Sequence, residues 1–220
     1  MLGNLLRDIP YSEVTATLEV LACQHITRED LTRIRVAKSL AIRIADLIHH
    51  PDRTVFGFPV SMTIQLGTGG LWTAESFCVA IEAAGGLVYA GARDILGRPG
   101  FMVARKLTEV DLVVEVDEEI AGKDSPANAE VFAGAERRGW EKCPPDVGPQ
   151  LRLQNMGQPE GEHLLIGMEP IRDSDGKPLG FAVVHDHDGC CLYTYLAYPD
   201  RIRRGRPWVF VLPRRVKEVV

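Results

Sequence analysis

Apolar and polar positions fall into runs that predict helices first, then strands and helices in turn. Within the first fifty residues the spacing is helical. Val14 to Ala22 is one short stretch, and Thr27-Arg28-Glu29-Asp30 reads as a capping box with acids where the helix dipole favours them. Leu31, Ile34, Leu40, Ile44, Leu47 and Ile48 then recur at helical spacing before Pro51. The turn-rich stretch up to Pro59 marks a boundary, so the chain divides into an N-terminal helical segment over 1–55 and a domain over 56–220. In the second part, Val60 to Leu66 alternates as a half-buried strand, and Gly67, Gly69 and Gly70 break it. Thr73 caps a helix through Ala84 with Phe77, Ala80, Ile81 and Ala84 on one face, closed by Gly85-Gly86. The continuous apolar run Val110 to Val116 predicts a central strand. Ser125-Pro126 predicts a helix start, with Val131, Phe132 and Ala135 following and a stop near Gly139. Leu164 to Met168 and Phe181 to Val184 predict paired strands with turn residues Asp173-Ser174-Asp175-Gly176 between them. Trp208 to Leu212 predicts a last, interior strand, because both of its faces are apolar. The class is α+β.

Composition narrows the functions. At 45% hydrophobic, 25% charged and net charge −5, the chain has the makings of a folded core and lacks the polar bias of a disordered one. Five cysteines, two of them adjacent at Cys190 and Cys191, do not form a disulfide framework. No apolar run approaches the roughly 20 residues that span a bilayer, and Met1 to Ser12 lacks the pattern of a secretory signal. The expectation is a cytoplasmic protein with no membrane partner.

Candidate catalytic and metal chemistry is thin. Asp173-x-Asp175-Gly176 has the opening of a calcium loop, but the position of the closing Glu holds Val184, so a turn is the simpler reading. Gly67-x-Gly69-Gly70 could cradle an anion before a helix, yet it lacks a dinucleotide fingerprint and a P-loop lysine. His185-x-His187 with Cys190 and Cys191 could approach a zinc site, but no second pair stands at ligand spacing. Glu118-Glu119 reads as a solvated turn, and Cys143, before Pro144-Pro145, as a small buried hydrophobe. No nucleophile motif is present. The expectation is a non-enzyme with no catalytic residues, no metal and no cofactor.

The informative segment is Cys190 to Pro207. No helical or strand period persists in it, Tyr193, Tyr195 and Tyr198 crowd together, and Arg201, Arg203, Arg204 and Arg206 follow. It reads as a long surface connection between apolar strands, the kind of segment that carries function on a rigid scaffold. Tyr and Arg are the types enriched in binding hot spots. The segment also lacks Trp, Met, Lys, Glu and Gln, which make up 35 of the 220 residues. Chance alone gives that in about one window in twenty at this composition. Those five types cannot be reached by randomising the two adenines of an AAC or AAT codon; every residue in the segment can.

Several blocks in order carry a resemblance. They are Asp94-Ile95-Leu96-Gly97-Arg98-Pro99, Thr108-Glu109-Val110-Asp111-Leu112-Val113 and Cys143-Pro144-Pro145-Asp146-Val147-Gly148-Pro149-Gln150-Leu151-Arg152-Leu153. Leu164-Leu165-Ile166-Gly167-Met168-Glu169-Pro170-Ile171, Asp173-Ser174-Asp175-Gly176 and Trp208-Val209-Phe210-Val211 follow. From about Ile64 onward the chain resembles the variable proteins of diversity-generating retroelements, in the group common in small-genome bacteria. The resemblance implies a C-type-lectin-like domain with a mixed or antiparallel sheet and two helices. It also implies a variable region, about 190–207 here, rewritten by adenine-directed mutagenesis. The matching ligand-binding positions are Cys190, Cys191, Tyr193, Thr194, Tyr195, Leu196, Tyr198, Arg201, Ile202, Arg203, Arg204 and Arg206, with Gly205 and Pro207 beside them. The chain departs from the pattern at Ala197 and Pro207 and has no Trp within the variable stretch. The implied function is ligand display, with a protein as partner. The alternative is nucleic-acid binding, with Arg201, Arg203, Arg204, Arg206, Arg214 and Arg215 on phosphates and the tyrosines stacking on bases; the net charge of −5 speaks against it. On the display reading, Trp208→Ala costs about 3–5 kcal/mol, and Arg203→Ala stays within about 0.5 kcal/mol.

Overall fold

The alternation that predicts the Val60 strand is visible in the computed structural model, where β3 (Met62–Leu66) buries Ile64 and Leu66 and exposes Thr63 and Gln65. The structure describes residues 54–55, 58–59, 61–67 and 70–213. The chain divides into units Met1–Asp52 and Arg53–Val220, and all described residues belong to the second. The helices expected over 14–22 and 27–48 therefore lie outside the described residues, as do Arg214 and Arg215.

The unit is α+β. A short ladder pairs β1 (Thr54–Val55) with β2 (Phe58–Pro59). The remaining strands form one mixed eight-stranded sheet. They are β3, β4 (Leu87–Val88), β5 (Thr108–Val116), β6 (His163–Ile166), β7 (Ile171–Arg172), β8 (Pro178–Asp186), β9 (Gly189–Leu196) and β10 (Pro207–Leu212). Their order is β3-β5-β10-β6-β8-β9-β4, with β7 paired to β8. β10 runs antiparallel to β5 and parallel to β6, and β4 runs parallel to β9. Five helices rather than two stand among the described residues: α1 (Ala74–Ala83), α2 (Ala90–Leu96), α3 (Asp117–Ala121), α4 (Asn128–Arg137) and α5 (Val147–Gln154).

Both faces of the sheet are apolar, and each has its own core. Val209 and Val211 of β10 point to one side, where Phe181, Val183 and Leu192 meet Ile81 of α1, Ile95 of α2 and Leu151 of α5. Trp208, Phe210 and Leu212 point to the other, against Ile120 of α3 and Val131 and Ala135 of α4. A strand buried on both faces reads as an unbroken apolar run, which is why β5 and β10 were legible.

Several local expectations shift. Thr73 caps α1, as its sequence predicts, and the structure adds a reciprocal bond from Ser76; but Cys78 is buried with Phe77 and Ile81 while Ala84 is exposed. The Asp173–Gly176 turn joins β7 to β8, and β6 pairs with β8 through Leu164 and Val183. Asp173 Oδ1 accepts from the amides of Asp175 and Lys177, an Asx turn. Ser125 does not cap a helix: it has φ +49°, and α4 begins at Asn128 after Ala127. Glu130 Oε2 accepts from the Ala127 amide instead, at 2.8 Å. The long surface connection expected from Cys190 is half strand, since Gly189–Leu196 is β9, paired along its length with β8. Cys191 and Leu192 enter opposite cores, so no polar–apolar alternation survives there.

Candidate ligand-binding surface

The twelve expected site residues divide between frame and surface. Cys190, Cys191 and Tyr195 are buried; burial pushes the Cys191 thiol up to about 11, so it is an unreactive packing group. Thr194, Leu196 and Arg203 are half-buried, while Tyr193, Tyr198, Arg201, Ile202, Arg204 and Arg206 are exposed. Tyr193 leans edge-on against Tyr89, whose hydroxyl donates to Asp188 Oδ2 at 2.6 Å and is thereby pushed up to about 12. The exposed positions lie on β9 and on the 197–206 loop that follows.

That loop is held by its backbone and, at Arg203, by a side chain. The carbonyls of Arg201 and Pro199 accept from the amides of Asn128 and Ala129 at 3.0 and 2.9 Å. These are unpaired amides of the first turn of α4, so the loop does the work expected of Ser125. Asn128 Nδ2 donates to the Tyr198 carbonyl at 2.8 Å. At the other end, Glu118 accepts from the Gly205 amide and Asp117 Oδ1 from the Arg206 amide, at 2.9 and 3.0 Å. Gly205 has φ +61°, a conformation that favours glycine. Burial, then the neighbouring Glu118, raises the Asp117 carboxyl to about 6, and hydrogen bonding to Asp117 lowers Glu118. Asp117 Oδ2 is enclosed with no hydrogen-bond partner among the described residues. The Glu118-Glu119 pair is thus no merely solvated turn.

Arg203 is fixed separately. Its guanidinium lies 5.0 Å from the Tyr195 ring centre, and Nη2 donates to the Leu196 carbonyl at 2.7 Å. Beside it, β6, β8 and β9 leave a cleft of about 310 Å³. Leu165, Ala182 and Val184 form its floor, Tyr193 a wall, and Arg201, Arg203 and Arg206 its rim.

Comparison with family models, curated proteins and solved structures finds no match to this chain.

The other candidate sites do not assemble around this surface. His185 bonds the Gln158 carbonyl through Nδ1, His187 lies exposed beside Asp188, and Cys190 Sγ donates to the Met156 carbonyl. Asp186, His187 and Asp188 hold ligand atoms within 4.8 Å of one another, but Asp186 and Asp188 already accept from the turn backbone and from Tyr89. Cys143 is buried, its thiol pushed up by burial and donating to the Val209 carbonyl. Gly67 turns back against the Lys106 carbonyl, and Thr68 and Gly69 lie outside the described residues. Among the described residues, no helix is long and apolar enough to cross a membrane. Sequence reading missed Asp117, Glu118 and Asn128, which hold the loop, because bonds to backbone so far along the chain leave no local pattern.

Proposed function

We propose that this chain is a ligand-binding display protein of the kind found in diversity-generating retroelements, with a C-type-lectin-like frame and a surface rewritten by adenine-directed mutagenesis. The observation that carries it is the division of labour in residues 193–206. Six of the expected positions are exposed: Tyr193 on β9, whose backbone pairs with β8, and Tyr198, Arg201, Ile202, Arg204 and Arg206 on a loop tied down by Asp117, Glu118 and α4. A surface that must accept arbitrary residues needs a backbone whose path does not depend on them, because cores punish arbitrary volume changes. Cys190, Cys191 and Tyr195 belong to the packed side of that boundary, so the binding set is narrower than the resemblance implies. The chemistry is recognition, with no catalytic step, and the partner is a protein.

The test is a display library. Randomising the six exposed codons should leave most members folded, by protease resistance, and selection against an unrelated soluble protein should recover binders. Randomising Cys191 and Tyr195 instead should unfold most members. A library unfolded by changes at the exposed codons would contradict the reading.

A further inference from the structure

We propose that the cleft at β6, β8 and β9 takes an acidic peptide segment, its carboxylate on Arg203, Arg201 and Arg206 and a neighbouring apolar side chain over Leu165, Ala182 and Val184. The inference rests on the ligand-binding reading above and names the chemistry that this particular surface recognises.

Register builds the floor. Leu165 pairs with Ala182 and Ala182 with Tyr193, while His163 pairs with Val184, so these side chains share one face of three adjacent strands. The packed cluster on this face joins α3 and α4 to Trp208 and Phe210, whereas the 197–206 loop rims the part above Leu165 and Ala182. Ala182, the smallest of the three, keeps the floor low. Arg201 and Arg206 are exposed, so their side chains can swing to admit an apolar group.

The rim supplies the charge. Stacking on Tyr195 and the bond to the Leu196 carbonyl fix the plane of Arg203 and use one of its terminal nitrogens. Nη1 has no partner among the described residues. A planar guanidinium held in place matches the two oxygens of a carboxylate with little ordering cost. Asp117 and Glu118, which accept from the Arg206 and Gly205 amides, offset part of this charge, and Asp117 acts on Arg203 itself; the rim still sets three guanidiniums against these two carboxylates.

Size and surroundings favour a peptide over a nucleic acid. At about 310 Å³ the cleft is at the lower end of ligand sites, room for one or two side chains. A phosphate backbone needs a continuous basic track. Here Asp200 precedes Arg201, and Asp188 lies behind the Tyr193 wall through Tyr89. The chain as a whole carries −5.

The test is fluorescence anisotropy on the full chain with labelled short peptides that alternate Glu with Leu, their Gln-for-Glu counterparts, and a single-stranded DNA oligonucleotide of the same length. Binding of the Glu peptides, weakened about ten-fold or more in the Gln peptides and in Arg201→Gln and Arg206→Gln, is the expected result. Both variants alter exposed side chains, so loss of fold should not confuse the outcome. Equal binding of Glu and Gln peptides, absence of peptide binding, or tighter binding of the oligonucleotide would overturn the inference. The two readings separate: failure here with a well-folded library of binders removes only the acidic-peptide assignment. Glu-dependent binding with an unfolded library would keep the cleft and remove the display function.

Discussion

Trp208 is completely buried and meets Phe132 and Tyr195 edge-on, at 5.5 and 5.3 Å between ring centres. We expect Trp208→Ala to lower stability by about 3–5 kcal/mol in urea unfolding; a loss under about 1 kcal/mol would mean that this face repacks freely. Arg203 was expected to be dispensable for folding. Its stacking on Tyr195 and its bond to Leu196 revise that: Arg203→Ala should cost about 1–2 kcal/mol, whereas Arg204→Ala, an exposed change, should stay within about 0.5 kcal/mol. Asp117 brings a pH dependence. Its folded carboxyl is raised to about 6, so the native state binds the extra proton and stability falls as pH rises from the ordinary carboxylate range through about 6. Asp117→Asn keeps the acceptor for Arg206 and supplies a donor toward Glu118. Thermal melts across this range should show the variant gaining on the parent as pH rises, with the difference flat above about pH 7. A difference independent of pH would remove Asp117 as the titrating group.

At the scale of elements, α3 and α4 hold the loop from two sides, and their mutual approach depends on Gly134. A Cβ there would overlap the Ile120 carbonyl. Ala is the better helix former by about 1 kcal/mol, so propensity alone would make Gly134→Ala stabilising. The clash should reverse the sign, with a net loss of about 1–3 kcal/mol and weaker ligand binding as the Asp117–Arg206 contact shifts. A stabilised variant would show that the two helices separate without consequence. The legibility of each element follows from where its partners lie. β3, α1, β5 and β10 were readable because a period, a cap or an unbroken apolar run is written into adjacent residues. β9 was not: Leu192 serves one core and Cys191 and Tyr195 the other, and tyrosines that look like surface residues include one that donates from the interior to the Ile166 carbonyl. The start of α4 was misplaced because its first amides are satisfied by Pro199 and Arg201, about seventy residues later in the chain, and no local signal announces that. For the site, the Tyr and Arg cluster was visible in the sequence, but the strand floor beneath it was not.

For the molecule as a whole, a sheet with two packed faces supplies a frame, and one loop with the outer half of β9 supplies a surface on which, Arg203 apart, the exposed side chains make little contact with that frame. Adenine-directed rewriting of this surface, if it occurs as proposed, would leave its mark in the DNA around the gene, and sequencing that DNA tests it. A second, near-identical copy of the codons for roughly Gly189 to Leu212, with a reverse-transcriptase gene close by, is the expected finding. The two copies should differ only where the second has adenine, and the differences should gather at the codons for Tyr193, Tyr198, Arg201, Ile202, Arg204 and Arg206. Absence of such a copy, or differences concentrated at the buried Cys191 and Tyr195, would contradict it.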